Sequence, residues 1–392
     1  MTTALSRTVE TLVPEITALR RELHEHPEIR FEEKWTSDRI ARFLDEQGIS
    51  YERGFAKGTG IVATITGTGS GAVALRADMD ALEIEEQTGL PYASKIENRM
   101  HACGHDGHTA TLCGAAKALH ILRDQLQGTV KCIFQPAEEG AAGGRFIVEE
   151  GVLDDVQAAF ALHAWPTLPV GKVGIREGWA MASAGAFRIE IEGKGCHAAE
   201  PAAGVDPIVV AAHIVTALQS IVSREIAPHD AAVVTVGKIQ AGHVSNIIPE
   251  TASLIGTLRS FDPAIHKRLE DSIRRIVVNT ASAFRARATV DFGGAPYPAL
   301  YNDLAMARFV QETVVEAFSR ENLADMPHPY MGAEDFAFYL QKVPGAYIHL
   351  GINPSETEPY PSLHNPRFNF NDDALATGIE LMARVAIRFL AR

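Results

Sequence analysis

Residues 130–140 read Val-Lys-Cys-Ile-Phe-Gln-Pro-Ala-Glu-Glu-Gly, a short apolar run that stops at a proline and two adjacent glutamates. The run has the length and composition of a buried β-strand. Residues 158–162 form a second such run, which stops at His163. Small and apolar residues with helical spacing over 106–126 precede the first of these strands. Strands that alternate with helices and end at polar residues predict a mixed, mostly parallel α/β sheet flanked by helices, with the chemistry along one edge.

The pattern changes after residue 177. Residues 178–293 show the order strand, helix, two strands, helix, strand, which is typical of a ferredoxin-like α+β unit. The earlier helix–strand alternation then resumes. A chain of 392 residues is also longer than one compact core usually needs. The sequence therefore predicts one domain made of residues 1–177 plus 294–392, and a second domain, 178–293, inserted into it.

Charge and composition exclude several classes of protein. A net charge of −13 argues against nucleic acid or an anionic membrane surface as a partner, since both attract basic patches. Four cysteines in so long a chain do not form a disulfide framework. No secretory signal pattern opens the chain, and no run approaches the roughly 20 apolar residues that span a membrane. We expect a cytoplasmic protein with free thiols.

Residues 100–107 read Met-His-Ala-Cys-Gly-His-Asp-Gly, which places a thiol and an imidazole two residues apart at a glycine turn entering a helix. Thiolate, imidazole and carboxylate are the side chains that bind first-row divalent metals. Two adjacent acids also allow one to bind metal while the other transfers protons. Asp80, at the end of another apolar strand, is expected to support a ligand from behind. The candidate site residues are Cys103, His105, Glu138, Glu139, His163 and His364.

Other residues of the same types have simpler explanations. Cys113 and Cys132 lie in apolar helix and strand patterns and are expected in the core. His24 and His26 lie at the end of the first helix, where imidazoles often cap carbonyl groups. Glu334 and Asp335 begin a predicted helix after Gly332, and they either cap this helix or line a pocket.

The sequence resembles the metallo-amidohydrolases that group aminoacylase, carboxypeptidase G and acetylornithine deacetylase, and is most similar to their hippurate hydrolase and auxin-conjugate hydrolase branch. This resemblance implies a catalytic domain that binds two divalent ions, and an inserted lid domain that also mediates homodimer formation. The matching segments are LRRELHEHPE at 19–28, LRADMDALEI at 75–84, MHACGHDGHTA at 100–110, FQPAEEG at 134–140, GKGCHAAEP at 193–201, SNIIPE at 245–250, MGAEDFAFY at 331–339 and LH at 363–364.

The resemblance also implies a role for each residue. Cys103 bridges the two ions, His105 and His163 complete one site, and Glu139 and His364 complete the other. Glu138 is then the general base, which takes a proton from the attacking water and passes it to the leaving amine. Zinc or manganese suits this donor set best, and cobalt or nickel is also compatible with it.

Three lid residues are expected to bind substrate. His197 contacts the scissile carbonyl, in its own subunit or in the partner's, and stabilises the oxyanion. Asn246 and Arg259 hold the free carboxylate, although Arg259 is equally explained as a surface strand residue. Cys196, beside His197, stands where many relatives have glycine.

The implied reaction is hydrolysis of the amide bond of a small N-acyl amino acid to a carboxylic acid and a free amino acid. An N-acetyl-diaminopimelate-type deacetylase and a dipeptidase are alternatives within the enzymes. A relative that binds metal or amino acids without catalysis would have lost Glu138 or two ligands, and neither loss is seen. A cysteine hydrolase using Cys103 would remain active after metal removal.

Overall fold

The protein is described by a computed structural model that covers residues 2–294, 297–355 and 357–392. Contacts between Cα atoms divide the chain into two compact units. The larger unit comprises Met1–Ala180, Tyr301–His328 and Asp335–Arg392. The smaller unit comprises Met181–Leu300 and Pro329–Glu334.

The helices, in chain order, are α1 Thr2–His24, α2 Lys34–Gln47, α3 His105–Ile121, α4 Glu138–Ala141 (a single irregular turn), α5 Gly143–Glu149, α6 Pro207–Ser220, α7 Pro263–Ala283, α8 Leu304–Ala317, α9 Ala337–Lys342 and α10 Leu375–Leu390. The strands are β1 Ser50–Phe55, β2 Gly60–Thr66, β3 Gly71–Asp78, β4 Gly128–Gln135, β5 Ala158–Pro169, β6 Val173–Gly174, β7 Gly178–Met181, β8 Gly185–Glu192, β9 Cys196–His197, β10 Ala232–Ala241, β11 Ile247–Ile248, β12 Thr251–Ser260, β13 Arg287–Asp291, β14 Leu300–Asn302, β15 Leu323–Ala324 and β16 Gly345–Asn353.

The larger unit is built on an eight-stranded sheet in the order β1-β2-β4-β3-β5-β16-β6-β15. Its central strands β4, β3, β5 and β16 run parallel to one another, whereas β1 and β2 pair antiparallel at one end. Parallel neighbours bring the ends of β3 and β4 to the same edge, where the chain turns into its polar motifs. The predicted fold class, a mixed and mostly parallel sheet flanked by helices, is confirmed.

Helix α3 lies in the centre of the larger unit, where it packs against α1 and α10. Nearly all its side chains are buried, which explains why its sequence is small and apolar on every side rather than amphipathic. Gly107 lies where a Cβ atom would stand 2.2 Å from the ring of Phe370. A side chain at position 107 would push the start of α3 away from Phe370.

The strand that carries His163 is longer than predicted. The apolar run at 158–162 indicated a strand ending at His163, but β5 continues to Pro169. The reason is its neighbour: β16 pairs with β5 in parallel past His163 to Trp165 and, after an irregularity, to Pro169, so the backbone groups beyond His163 have a partner. His163 therefore projects from within a strand rather than from the loop after one.

The smaller unit contains a four-stranded antiparallel sheet in the order β10-β12-β8-β13, with α6 and α7 packed on it. The chain order β8-α6-β10-β12-α7-β13 is that of a ferredoxin-like unit. Its helical stretch Pro207–Glu225 is long and apolar enough to cross a membrane by length and composition alone, and about a third of it is buried. A single stretch of this kind is weak evidence for a membrane span, because core helices of soluble proteins share this length and composition.

Candidate metal centre

The residues Ala-Cys-Gly-His form the turn that starts α3. Gly104 has a φ of 87°, in the left-handed region that glycine adopts without steric strain. The turn places Cys103 just before the helix and His105 at its first residue, and both side chains are buried. The Sγ of Cys103 lies 3.4 Å from Nε2 of His163, which projects from β5. A thiol and an imidazole from two segments thus meet at this turn.

A second turn, at the end of β4, presents the paired glutamates. Ala137 has a φ of 58°, which bends the backbone sharply before Glu138. The carboxylate Oε1 of Glu139 lies 3.0 Å from Nε2 of His364, a residue from the loop before α10. The φ of His364 is also positive, at 64°. Strained backbone of this kind is common where a chain must aim side chains at a functional site.

The two turns face one another across the sheet edge. Ligand atoms of Cys103, Glu139 and His364 all lie within 4.8 Å of one another, as do those of His105, Glu138 and Glu139. His163 joins His105 in a further group of the same kind. The structure therefore brings together, in the larger unit, Cys103, His105, Glu138, Glu139, His163 and His364.

Asp80 positions His105 and the paired glutamates through hydrogen bonds. Its Oδ1 accepts hydrogen bonds from Nδ1 of His105 (3.2 Å) and from the backbone N–H of Glu138 (3.1 Å). Its Oδ2 accepts the backbone N–H of Glu139 at 2.9 Å. Nδ1 of His105 is thus the donor to Asp80, which leaves Nε2 as the nitrogen that can bind a metal once it has lost its proton. Asp78 Oδ2 is 3.7 Å from that Nε2, which has no hydrogen-bond partner among the residues that the structure describes.

The charges in the site call for a cation. Burial raises the pKa of the Cys103 thiol well above its usual value, and the carboxylates of Glu139 and Glu138 raise it further. A thiolate at this position therefore needs a positive charge beside it. Burial raises the pKa of the Glu139 carboxyl, but His364 and His105 together outweigh this effect and lower that pKa. The donor set is the thiolate, imidazole and carboxylate combination that fits divalent ions such as zinc.

The pKa values of His105 and His163, the two imidazoles nearest the thiol, shift in opposite directions. Burial lowers the pKa of His105, but the carboxylates of Asp78 and Asp80 outweigh it and raise that pKa to about 10. Burial lowers the pKa of His163 well below its usual value, and the neighbouring His108 lowers it further. His163 is therefore neutral, which is the form that binds metal.

Sequence reasoning missed a buried ionic network close to Glu138 and Glu139. Arg76 on β3 is 1% exposed, and it donates to Asp78 (2.7 Å), Gln135 (2.9 Å) and Asp335 (2.8 Å). Asp335 also accepts the backbone N–H of Gly144 at 2.8 Å. Helix α9 begins only at Ala337, so Asp335 is no helix cap but the far end of this network. An arginine within the apolar strand 72–77 was the signal that could have revealed it.

His24 also has a different role from the one predicted. Its Nδ1 lies 2.7 Å from Oδ2 of Asp106, and Nε of Arg20 lies 3.0 Å from the same oxygen. All three side chains are buried, and together they tie α1 to the first turn of α3. His26 does cap a carbonyl, since its Nδ1 lies 2.9 Å from the oxygen of Glu22.

The three predicted lid residues lie in the smaller unit. His197 is exposed on β9, and its Nδ1 accepts the backbone N–H of Ala199 at 3.1 Å. The backbone carbonyl of Asn246 accepts the N–H of Ala198 at 3.0 Å, which keeps Asn246 beside His197. Arg259 is half-buried on β12, where it donates to the carbonyl of Leu258 (3.0 Å) and to the Thr257 hydroxyl. The substrate-binding roles of these residues stay predictions.

Comparison with known proteins agrees with this site. The family model described as peptidase family M20/M25/M40 matches residues 74–388. An "IAA-amino acid hydrolase ILR1-like 4" from Arabidopsis thaliana is 42% identical over 95% of this chain and 85% of its own. An "N-acetylcysteine deacetylase" from Bacillus subtilis is 41% identical over 94% of this chain and 95% of its own.

A solved structure agrees as well. The crystal structure of the Bacillus subtilis YxeP protein, described as a dinuclear metal-binding peptidase from the M20 family, superposes with a TM-score of 0.84. It is 37% identical and covers 97% of this chain and 99% of its own. The resemblance drawn from the sequence motifs is confirmed: the chain belongs to peptidase family M20/M25/M40.

Proposed function

We propose that this protein is a metal-dependent amidohydrolase that cleaves N-acyl amino acids to a carboxylic acid and a free amino acid. The observation that carries the proposal is the convergence of Cys103, Glu139 and His364 within 4.8 Å, with Glu138 in the adjoining group. The two relatives, an IAA-amino acid hydrolase and an N-acetylcysteine deacetylase, are named for the same kind of reaction on different acyl groups.

Five residues would hold two divalent ions, with zinc or manganese preferred over cobalt or nickel. Cys103 lies within reach of both groups of ligands and is the proposed bridge. Bound there, the ions supply Lewis acidity that polarises the scissile carbonyl and makes water more acidic. Cys103 must stay reduced to bind them, which suits the cytoplasmic location that we propose. His105 and His163 serve one ion, and Glu139 and His364 the other.

Glu138 is the proposed general base. Asp80 accepts the backbone N–H of Glu138, and Oε1 of Glu138 accepts the N–H of Asp335 at 3.4 Å, so one bond holds the backbone of Glu138 and the other holds its carboxylate. A carboxylate held in this way takes a proton from the attacking water and returns it to the leaving amine nitrogen. Glu139, one residue on, faces His364 instead, so the two acids have separate tasks.

The lid residues are proposed to bind the substrate. Because Nδ1 of His197 accepts a backbone N–H, the ring proton lies on Nε2, which is therefore available as a donor. A neutral imidazole donor suits the oxyanion that develops on the substrate carbonyl. Arg259 and Asn246 are proposed to bind the free carboxylate of the amino acid.

We also propose that a second copy of the chain covers an apolar face of the smaller unit. Ile208 and Val209 on α6 are exposed to 43% and 44%, and Ile239 on β10 to 55%. β10 is the last strand of its sheet in the described part of the chain, and so offers an unpaired edge. Exposed apolar residues beside an open sheet edge favour a symmetric homodimer.

The function is tested with metal-reconstituted protein and a panel of substrates. The panel contains acetyl, benzoyl, indoleacetyl and long-chain acyl amino acids, N-acetyl-diaminopimelate and a dipeptide. We expect hydrolysis of one acyl class, loss of activity with a chelator, and recovery when Zn²⁺ or Mn²⁺ is returned. Activity that survives complete removal of metal would contradict the proposal and favour a Cys103 nucleophile.

A further inference from the structure

His108 lies one turn after His105 on α3 and is buried. Ligand atoms of Asp78, His105, His108 and His163 all lie within 4.8 Å of one another, so residue types alone would make His108 a further metal ligand. Its hydrogen bonds argue otherwise. Nδ1 lies 2.6 Å from Oδ1 of Asp78 on β3, and Nε2 lies 2.7 Å from the backbone nitrogen of Ala164 on β5.

These two contacts determine the tautomer of His108. A backbone N–H can only donate, so Nε2 of His108 must be the unprotonated acceptor for Ala164. The ring proton then lies on Nδ1 and is donated to Asp78, whose other oxygen is held by Arg76 at 2.7 Å. Both nitrogens are in use, and no lone pair is left for a metal.

The carbonyl group of Ala164 has a matching role for His163. Nδ1 of His163 lies 2.8 Å from the oxygen of Ala164, which can only accept, so the His163 proton lies on Nδ1. Its Nε2 then carries the lone pair, and this is the atom 3.4 Å from Sγ of Cys103. The carbonyl oxygen of Ala164 thus accepts the Nδ1 proton of His163, and the backbone N–H of Ala164 donates to Nε2 of His108.

We propose that His108 is a positioning residue for the metal centre, and not one of its ligands. It fastens β3 and β5 to α3, so that His105 from the helix and His163 from the strand keep their lone pairs aimed at one point. The rings of His108 and His163 also touch, with centroids 4.4 Å apart. The inference rests on the proposed function, because that function makes His105 and His163 ligands.

Two variants distinguish the hydrogen bond of His108 to Asp78 from its hydrogen bond to Ala164. His108→Asn keeps a donor near Asp78, but its side chain is too short to accept from Ala164. His108→Gln reaches further and supplies one acceptor and one donor. The matched control is His349→Phe, since His349 is also buried and pairs directly with His163 across β5 and β16. Removing a group that orients a metal ligand typically lowers metal affinity about 10- to 100-fold.

The experiment measures Zn²⁺ affinity by competition with a chelator, and thermal unfolding of the metal-free proteins, without an activity assay. We expect His108→Asn to lower Zn²⁺ affinity about 10- to 100-fold, and His108→Gln to restore most of it. His349→Phe should leave the affinity within about twofold, even where it lowers the unfolding temperature as much as His108→Asn does. A purely structural role would make affinity follow stability across all three variants.

Unchanged affinity in a folded His108→Asn protein would overturn the positioning role. So would an equal loss in His349→Phe. If His108→Asn does not fold, His108→Gln decides: a folded protein with full loss of Zn²⁺ affinity also overturns it, because this variant keeps a donor and an acceptor. Wild-type protein that binds no Zn²⁺ or Mn²⁺ contradicts the proposed function itself, and the two failures are thereby told apart.

Discussion

Glu33 accepts the backbone N–H of Ala137 through its Oε1 at 2.9 Å, in the fully buried interior of the larger unit. Its other oxygen accepts the hydroxyl of Thr59 at 3.1 Å. Ala137 is the residue in left-handed conformation that turns the chain just before Glu138. A single buried carboxyl thus holds the turn that presents the proposed general base.

Glu33 should make stability depend on pH. Burial, together with the charge of Asp80, raises the pKa of Glu33 from its ordinary value of 4.5 to about 7. The folded protein therefore holds a proton that the unfolded chain has lost, so its stabilising effect is full below the ordinary pKa and is lost as pH rises through 7. The expected loss is on the order of 3 kcal/mol. Glu33→Gln should remove it.

Urea unfolding of metal-free wild type and Glu33→Gln, at about pH 5 and about pH 8, measures this effect. Other groups titrate equally in both proteins, so the difference between the two pH dependences belongs to Glu33. Identical pH dependences in wild type and variant would show that the carboxyl ionises normally.

Glu138→Ala should abolish turnover while leaving metal content nearly intact. Loss of a general base typically lowers the rate about 10²- to 10⁴-fold, and Glu138 is not among the five proposed ligands. Steady-state kcat and metal analysis of the purified variant check both parts. Glu149→Ala serves as control, because the Glu149 side chain is exposed at the end of α5, where it faces the half-exposed Arg145 at 3.6 Å. Near-normal hydrolysis by Glu138→Ala would refute the assignment.

Arg76→Met should destabilise the protein strongly. The arginine ion-pairs with both Asp78 and Asp335, and all three side chains are fully buried. Its loss removes the cation that the two buried carboxylates share, which costs about 3–5 kcal/mol. The exposed pair Arg30 and Glu83 provides the comparison, since Arg30→Ala should cost less than about 1 kcal/mol. Equal unfolding free energies for the two variants would disagree with this account.

A site residue could be predicted from the sequence where it lies in a local motif, and could not where its role depends on packing between distant segments. Cys103 and His105 share one motif, and Glu138 and Glu139 another, so local patterns predicted them. His364 was a candidate only as a histidine in a polar loop bounded by proline, and the family resemblance gave it a role. Nothing near His24 indicates its partner Asp106, because that contact depends on how α1 packs against α3.

Long-range packing explains the remaining differences. The pairing of Arg76 with Asp335 joins two segments far apart in the chain, and neither segment alone shows it. His163 lies within β5 because β16 continues beside it, and the length of a strand depends on its neighbour as much as on its own residues. Periodicity reports which face of an element is buried, but not which element covers it.

Gly107→Ala should separate α3 from the loop that carries Phe370. The added Cβ would lie 2.2 Å from the ring, far inside van der Waals contact, so helix or ring must move. Overpacking of this kind costs about 1–3 kcal/mol. Gly237→Ala is the control, because nothing lies within 4 Å of a Cβ there. Thermal unfolding of both variants decides the matter, and equal stability would mean that Phe370 relaxes freely.

His197→Ala should lower turnover without lowering stability. The side chain is exposed on the smaller unit, so its removal should change the unfolding free energy by less than about 0.5 kcal/mol. An oxyanion donor, by contrast, contributes about 10²- to 10³-fold to kcat. His229→Ala is the matched control, since the His229 side chain is 83% exposed in the same unit. Unchanged kcat in His197→Ala would make His197 a surface residue, whereas a selective fall in kcat, with the metal content of wild type, would assign the oxyanion contact to it.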